Sequence, residues 1–202
     1  MKIVLIGATG TVGSAVAKEL SEFDVVKVGF SGGDYQVDIE DRAALDALFE
    51  KIGMVDAIIS TTGQIAFGPI KELNYEQFAT TVNSKILGHI NLFQAGREYV
   101  KKGGSMTFTS GYLAQHPIEG SSAVSLVNAA LDSFAKAAAL ELADELRVNT
   151  VSPRFLKETL EQMGMETAEG VSAADTAKAY RHAILATETG QAFDTAAFVT
   201  AD

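Results

Sequence analysis

The chain has 202 residues, of which 47% are hydrophobic and 21% charged, enough for one sizeable core and too short for two domains of ordinary size. Its formal net charge of -10 disfavours nucleic-acid binding, because an acidic protein repels a phosphate backbone. Cysteine is absent, which excludes disulfides and thiolate chemistry and fits a reducing compartment, and the three histidines stand too far apart in sequence for a metal-ligand motif.

Short apolar or β-branched runs alternate along the chain with segments of helical periodicity. We predict strands at residues 2–6, 25–30, 55–60, 105–109 and 146–151. Helices are predicted at residues 12–22, 42–52, 74–101, 122–143 and 173–187, with Gly103 and Gly104 as breaks before a strand. Alternating strands and helices imply a parallel sheet, and continuous apolar runs imply that helices cover both faces. The sequence therefore predicts a Rossmann-type doubly wound α/β fold with three layers, α/β/α, as a single domain over residues 1–202.

The apolar segments also bear on where the protein works. The sequence opens directly on the predicted strand 2–6, and no apolar run approaches the roughly 18 to 20 residues of a membrane span. We therefore expect a soluble cytoplasmic protein that binds neither membrane nor nucleic acid.

A glycine-rich segment, Gly7-Ala8-Thr9-Gly10-Thr11-Val12-Gly13, lies between the first predicted strand and the first predicted helix. At this place in a Rossmann fold a pyrophosphate approaches bare backbone and rests on the helix N-terminus. The spacing Gly-x-x-Gly-x-x-Gly departs from the usual Gly-x-Gly-x-x-Gly, so its position between strand and helix carries the prediction, and a purely structural tight turn is the alternative. The residues predicted to contact a dinucleotide here are Gly7, Thr9, Gly10, Thr11, Val12 and Gly13.

The turn after the second strand bears on the choice of coenzyme. A carboxylate at this point favours NAD, and an arginine favours NADP. Residues 28–33 contain neither, but Ser31 and its neighbouring glycines leave room and impose no negative charge. This turn therefore favours NADP and leaves NAD open.

Several motifs in order along nearly the whole chain resemble the short-chain dehydrogenase/reductase family. Ser60-Thr61-Thr62-Gly63 resembles the family's Asn-Asn-Ala-Gly turn, which implies that Ser60, Thr61 and Gly63 back the adenosine side of the coenzyme. Asp38, next to Ile39, resembles the acidic residue beside the adenine ring, although it could equally cap the next helix.

Three further motifs extend the resemblance to the catalytic side. Asn83 resembles the asparagine that interrupts the central helix and positions a water, and Ser110 resembles the catalytic serine at the end of the strand 105–109. Residues 148–153 resemble the sixth strand of the family and place Pro153 at the coenzyme, with Arg154 in place of the usual glycine.

The family's Tyr-x-x-x-Lys motif is replaced in this chain. Aligning residues 129–134 with the family puts Val124 at the tyrosine and Asn128 at the lysine, and no other tyrosine has a lysine four residues later. Valine donates no proton, and loss of a positioned acid typically lowers the rate by about 10²- to 10⁴-fold. Asn128 is still able to hydrogen-bond a ribose hydroxyl. The resemblance thus implies an NAD(P)-binding oxidoreductase for a small carbonyl or alcohol with impaired or non-standard proton transfer.

Two other functions stay open on the same residues. One is an inactive dinucleotide-binding sensor or interaction module, and the other is different dinucleotide or sugar-nucleotide chemistry on the same scaffold. Tyr112 is a candidate replacement acid, with His116 four residues later, against the alternative of an ordinary surface aromatic beside a solvated histidine. Ser121 and Ser122 are expected to cap a helix.

The last expectations concern the substrate segment and assembly. Four apolar side chains after the sixth strand form either a pliable lid or ordinary helix packing: Phe155, Leu160, Met163 and Met165. The predicted helices 74–101 and 122–143 resemble the pair through which family members dimerise, which implies a homodimer or homotetramer.

Overall fold

The structure is a computed structural model, and it describes residues 1–199. Seven parallel strands form one sheet in the order β3-β2-β1-β4-β5-β6-β7. The strands are β1 (Lys2–Ile6), β2 (Asp24–Gly29), β3 (Tyr35–Gln36), β4 (Val55–Ser60), β5 (Val100–Thr109), β6 (Arg147–Ser152) and β7 (Ala192–Asp194). The strand order turns back between β1 and β4, which is the doubly wound topology, and the predicted fold class is confirmed.

Helices cover both faces of the sheet and, apart from a short one after β6, lie close to where the sequence predicts them. They are α1 (Thr11–Glu19), α2 (Arg42–Ile52), α3 (Tyr75–Val82), α4 (Gly88–Gly96), α5 (Ser122–Glu141), α6 (Lys157–Gln162) and α7 (Ala173–Leu185). A π-helical turn, Asn83–Leu87, joins α3 to α4, so that the predicted helix 74–101 is one helix with an irregular middle. Its predicted end was wrong, because Val100 already pairs with Val55 of β4.

The predicted break at Gly103 and Gly104 was also placed wrongly. Both residues lie inside β5, where the pairing with β4 shifts register between Val55 and Ala57. Gly103 has a φ of +81°, and a β-carbon on Gly104 would meet the carbonyl oxygen of Asp56 at 2.5 Å. These glycines accommodate an irregularity in a continuing strand, as isolated strand glycines often do.

Each face of the sheet has its own apolar core. One core contains Phe49, Leu92 and Phe108 and lies under α2, α4 and α5. The other contains Leu5 and Tyr180 and lies under α1 and α7. Both cores leave the carboxyl edge of the sheet to polar residues, and this is where the predicted site residues lie.

Helix α5 corrects one sequence-based expectation. Its 20 residues are long and apolar enough to cross a membrane by length and composition alone. From the sequence, no apolar run of that length was expected. Half of this apolar stretch is buried inside the protein against the sheet, so its composition is that of a core helix.

The N-cap of α2 is Asp41 and not Asp38. The Asp41 carboxylate accepts a hydrogen bond from the Ala44 amide at 3.0 Å, whereas the Asp38 carboxylate accepts one from Glu40 in the preceding turn. We therefore expect Asp41→Ala to lower the free energy of unfolding by about 1 kcal/mol and Asp38→Ala to change it by less than about 0.5 kcal/mol. Urea denaturation followed by circular dichroism measures both, and equal losses would contradict the assignment.

Candidate active site

The predicted site residues lie along the carboxyl edge of the sheet. They belong to the segments that follow β1, β2, β3, β4, β5 and β6, and to the helices that line the same edge. In open α/β sheets ligands bind at this edge, where the strand order reverses, and here that point lies between β1 and β4. The topology thus gathers segments that are far apart in the sequence.

The glycine loop after β1 has no room for side chains at two positions. Gly7 has a φ of +85°, which disfavours any other residue. A β-carbon on Gly13 would lie 2.0 Å from the Gly7 carbonyl oxygen and 2.9 Å from the α-carbon of Ala8. The first turn of α1 therefore packs directly on the backbone of the loop.

The N-terminus of α1 has no side-chain cap, which is also true of α5 and α6 but not of α2, α3 and α7. Side chains cap α2, α3 and α7, namely those of Asp41, Asn74 and Ser172. Gly10 at the N-cap of α1 has no side chain to do this, so the first amides of the helix are left for an external acceptor. Backbone amides at a helix N-terminus are suited to a pyrophosphate.

The segments after β2 and β3 form the edge where the sequence predicts the adenosine end. Ser31 is exposed in the turn after β2, and Asp38 is exposed after β3. Ile39 is buried, and its side chain packs on Gly88 of α4, where a β-carbon would lie 2.8 Å away. Asn91 donates to the Ile39 carbonyl oxygen at 3.3 Å and thereby fixes this segment to α4.

A buried hydrogen-bond network holds the turn after β4. Burial lowers the pKa of His89 to about 3, so its imidazole is neutral. Nδ1 then donates to the Lys85 carbonyl oxygen at 2.6 Å, and Nε2 accepts from the Ser60 hydroxyl at 3.0 Å. The Thr61 hydroxyl donates to the Gly7 carbonyl oxygen at 3.1 Å and joins this turn to the glycine loop.

A small cavity of about 170 Å³ lies beside this turn. Several predicted site residues line it, namely Gly63, Ser110, Tyr112, Asn128 and Pro153. Val124, which the sequence analysis aligned with the family's tyrosine, lines it as well. Asn128 is 4% exposed, and its Oδ1 is buried without a hydrogen-bond partner in the part of the chain that the structure describes.

Lys85 lines the same cavity, and the sequence analysis missed it. It lies in the π-helical turn, two residues after Asn83, which is not among the residues lining the cavity. The Lys85 side chain passes over Gly63, where a β-carbon would meet Lys85 Cδ at 2.5 Å. In the sequence, only the position of Lys85 close to the predicted asparagine indicates that it points inward, and this signal is weak.

The ammonium of Lys85 is held in an unusual environment. Lys85 is 6% exposed, and within residues 1–199 its side chain forms no hydrogen bond and no ion pair shorter than 4 Å. Burial lowers the pKa of Lys85 to about 8, and the charge of Asp132 on α5 opposes this shift. A lysine with a pKa near neutrality exchanges protons readily at physiological pH.

Tyr112 lies at the mouth of the cavity in a stack of three side chains. Its ring is parallel to that of His116 at 4.0 Å between centroids, and the Arg154 guanidinium lies 4.1 Å from its centroid on a cation–π contact. Arg154 is held by Asp194 through two hydrogen bonds, of 3.0 and 2.8 Å. Tyr112 is half-buried in this stack, and His116 is exposed.

A wider cavity of about 540 Å³ adjoins the first and shares Tyr112, Leu113, Arg154 and Phe155 with it. Leu160 of α6 lines this outer cavity as well. The other two members of the predicted lid, Met163 and Met165, are 67% and 54% exposed. They therefore belong neither to helix packing nor to the wall of either cavity.

The two serines before α5 do not cap it as predicted. The Ser121 hydroxyl donates to the Ile118 carbonyl oxygen at 2.7 Å and accepts from the Ile118 amide, so it closes the preceding turn. The Ser122 hydroxyl is buried without a partner among the described residues.

Comparison with known proteins places these features in a family. A family model described as enoyl-(acyl carrier protein) reductase matches residues 2–201. Among solved structures, the protein lin1944 from Listeria innocua is 38% identical and has a TM-score of 0.91 over 96% of this chain and 98% of that one. A small-chain dehydrogenase in complex with NADPH is 28% identical, with a TM-score of 0.87 over 99% of both chains.

The curated relatives are longer than this chain. Versicolorin reductase from Emericella nidulans is 25% identical over 165 residues, which make up 75% of this chain and 61% of that enzyme. The chain therefore spans about three fifths of the length of that relative.

Proposed function

The chain belongs to the short-chain dehydrogenase/reductase family, and on that premise we propose that it is an NAD(P)H-dependent oxidoreductase that interconverts a small carbonyl compound and its alcohol. The observation that carries the proposal is the loop after β1. Its backbone is packed too closely for side chains at Gly13, and it leads to an uncapped helix N-terminus. This arrangement suits a dinucleotide pyrophosphate.

The residues present fit the coenzyme along its whole length. Gly7, Thr9, Gly10, Thr11, Val12 and Gly13 would hold the pyrophosphate, and Ser31, Asp38, Ile39, Ser60 and Thr61 would flank the adenosine. Gly63, Asn128 and Pro153 line the cavity where the nicotinamide end would lie. When bound, the coenzyme supplies or accepts the hydride. Ser110 would orient the substrate oxygen, and Asn128, whose Oδ1 is unpaired in its buried position, would accept from a ribose hydroxyl.

NADP(H) is the proposed coenzyme. Ser31 is exposed in an open turn after β2, and no carboxylate occupies the turn position at which NAD-preferring sites bind the ribose hydroxyl. The small-chain dehydrogenase that is 28% identical to this chain was solved in complex with NADPH. Both points support NADP(H) without excluding NAD(H).

We expect the purified protein to bind NADPH saturably and several-fold more tightly than NADH. Nicotinamide fluorescence measures both dissociation constants, and turnover is then sought with a panel of aldehydes, ketones and quinones. Consumption of NADPH with any of these carbonyl compounds supports the proposal. If neither coenzyme binds, the proposal is wrong, and tight binding with no turnover on any compound identifies the inactive sensor that Val124 and Asn128 suggested.

The proposed assembly is a homodimer or homotetramer through α4 and α5, by analogy with the family. A groove of about 390 Å³ runs along these two helices and is lined by Phe93, Phe134 and Leu142, among others. Apolar surface of this kind suits contact with a second copy.

A further inference from the structure

Lys85 is a buried residue whose ammonium has no hydrogen-bond or ion-pair partner among residues 1–199. A buried charge without a partner is costly, because it loses its hydration and gains little in return. Lys85 is 6% exposed, and Asp132, the carboxylate that acts on it from α5, forms no ion pair with it within 4 Å. Asp132 instead accepts a hydrogen bond from the Thr150 hydroxyl at 2.6 Å. Among the described residues, the packing thus leaves the Lys85 amine without a hydrogen-bond or ion-pair partner.

Lys85 lines the cavity of about 170 Å³ beside the turn after β4. Gly63 leaves room for the lysine stem, and the cavity that Lys85 lines also contains Ser110 and Asn128. Val124, which the sequence analysis aligned with the family's tyrosine, lines the same cavity and has no proton to donate. Lys85 thus places a transferable proton in the cavity, whereas Val124 of α5 offers none.

From this geometry we infer that Lys85 is the acid that protonates the substrate oxygen, in the place of the missing tyrosine. The inference rests on the proposed reductase function. Reduction adds the coenzyme's hydride to the carbonyl carbon, and the electron pair of the C=O π bond moves to the oxygen. The oxygen takes a proton from the Lys85 ammonium and becomes the alcohol hydroxyl, which leaves a neutral amine that water protonates again.

The charged groups around Lys85 set the direction of its pH response. Asp132 faces it from α5 and favours the ammonium, while His89 on the same long helix is neutral. Tyr112 and Arg154 line the cavity from the segments after β5 and β6. Because burial outweighs the charge of Asp132, the amine loses its proton near pH 8. The rate of carbonyl reduction should therefore fall as the pH rises through 8, since the acid must be protonated.

The first test does not depend on turnover. The lysines are reductively methylated with ¹³C-formaldehyde, and the dimethylamine resonances are followed by NMR against pH. We expect one resonance, absent from Lys85→Met, to titrate near pH 8 and to shift on NADPH addition, while exposed lysines titrate near 10. If the Lys85 resonance titrates with the exposed lysines, the inference is wrong.

The second test compares three variants on a carbonyl compound that the wild type reduces. Lys85→Met keeps the length of the side chain and should lower kcat by about 10²- to 10⁴-fold, with the dissociation constant of NADPH within about threefold of the wild-type value. Lys85→Arg keeps the charge but gives up no proton, so kcat should stay low and the fall near pH 8 should disappear. The exposed Lys102→Met is the matched control and should retain wild-type kcat.

The outcomes separate this inference from the proposed function. If the wild type binds no NADPH or NADH, the reductase assignment itself fails. If it binds and reduces, but Lys85→Met retains kcat within about tenfold, Lys85 is not the acid. The inference is equally wrong if Tyr112→Phe abolishes turnover while Lys85→Met does not, because Tyr112 is then the donor. Should Lys85→Met fail to fold, the wild-type NMR titration and Lys85→Arg decide.

Discussion

Gly13→Ala should weaken NADPH binding by at least about 100-fold, or roughly 2.7 kcal/mol. The added β-carbon would lie 2.0 Å from the Gly7 carbonyl oxygen and 2.7 Å from the Gly7 carbonyl carbon. These are backbone atoms of the loop, so no side-chain rotation relieves the overlap, and the loop must move away from α1. Such a shift displaces the amides that would hold the pyrophosphate. Nicotinamide fluorescence gives the affinity, and thermal unfolding shows how much of the loss is stability.

Gly68→Ala is the matched control for this experiment. Its β-carbon would meet Leu73 Cδ2 at 3.7 Å, an ordinary contact, and the loop that contains it lies away from the glycine segment. We expect wild-type stability and NADPH affinity from this variant. Gly13→Ala with NADPH affinity within about threefold of the wild type would show that the packing of α1 on the loop is irrelevant to binding.

The free energy of unfolding should fall by roughly 2 kcal/mol between pH 7.5 and pH 5 because of His89 alone. Burial lowers the pKa of the folded His89 to about 3 from its ordinary value of 6.5, and the nearby Lys85 charge acts in the same direction. Between these two values the unfolded chain binds a proton that the folded protein does not. Stability from this group is therefore complete above about pH 6.5 and is lost as the pH falls towards 3. Urea denaturation at several pH values measures how the free energy of unfolding changes with pH.

Two variants separate His89 from other titrating groups. His89→Gln loses hydrogen-bond geometry and should be less stable at pH 7.5, but its stability should change less between pH 7.5 and 5. His182 is 40% exposed and lies 3.9 Å from Glu188, and His182→Gln is the matched control for the histidine-to-glutamine substitution itself. If the free energy of unfolding of His89→Gln falls as steeply between pH 7.5 and 5 as that of the wild type, another group causes the acid lability.

The His89 network also connects stability to the site. Its Nδ1 holds the carbonyl oxygen of Lys85, and its Nε2 holds Ser60 in the turn that contacts the glycine loop through Thr61. Protonation of His89 places a second positive charge near the Lys85 ammonium. Acid conditions therefore act on the same turn that positions Lys85 in the cavity.

Local sequence determined most of the fold. The strands 2–6 and 55–60 and the helix 42–52 were predicted with the bounds that the structure has. Their apolar runs and periodicity depend on neighbouring residues alone, and buried parallel strands need little else. Two short edge strands, β3 and β7, were missed, because two or three residues contain no period and pair only once a neighbouring strand is in place.

Caps and breaks were harder to predict than strands. Asp38 and Asp41 stand three residues apart before the same helix, and only the backbone turn between them decides which carboxylate reaches the Ala44 amide. Gly103 and Gly104 suggest a loop by composition, yet β4 and β6 continue the sheet on either side of them. In both cases tertiary contacts override a local preference.

The sequence by itself determined the glycine loop, the place of Ser110 after its strand and the absence of any tyrosine with a lysine four residues later, since each is a statement about residue type at a fixed position. Only the tertiary structure decided where Lys85 points. On a helix whose middle turn is π-helical, the direction of one side chain depends on the local register and on Gly63, which comes from another segment. A lysine that faces solvent and one that enters a cavity look the same in the sequence. They differ in burial, which results from the packing of β4, the long central helix and α5.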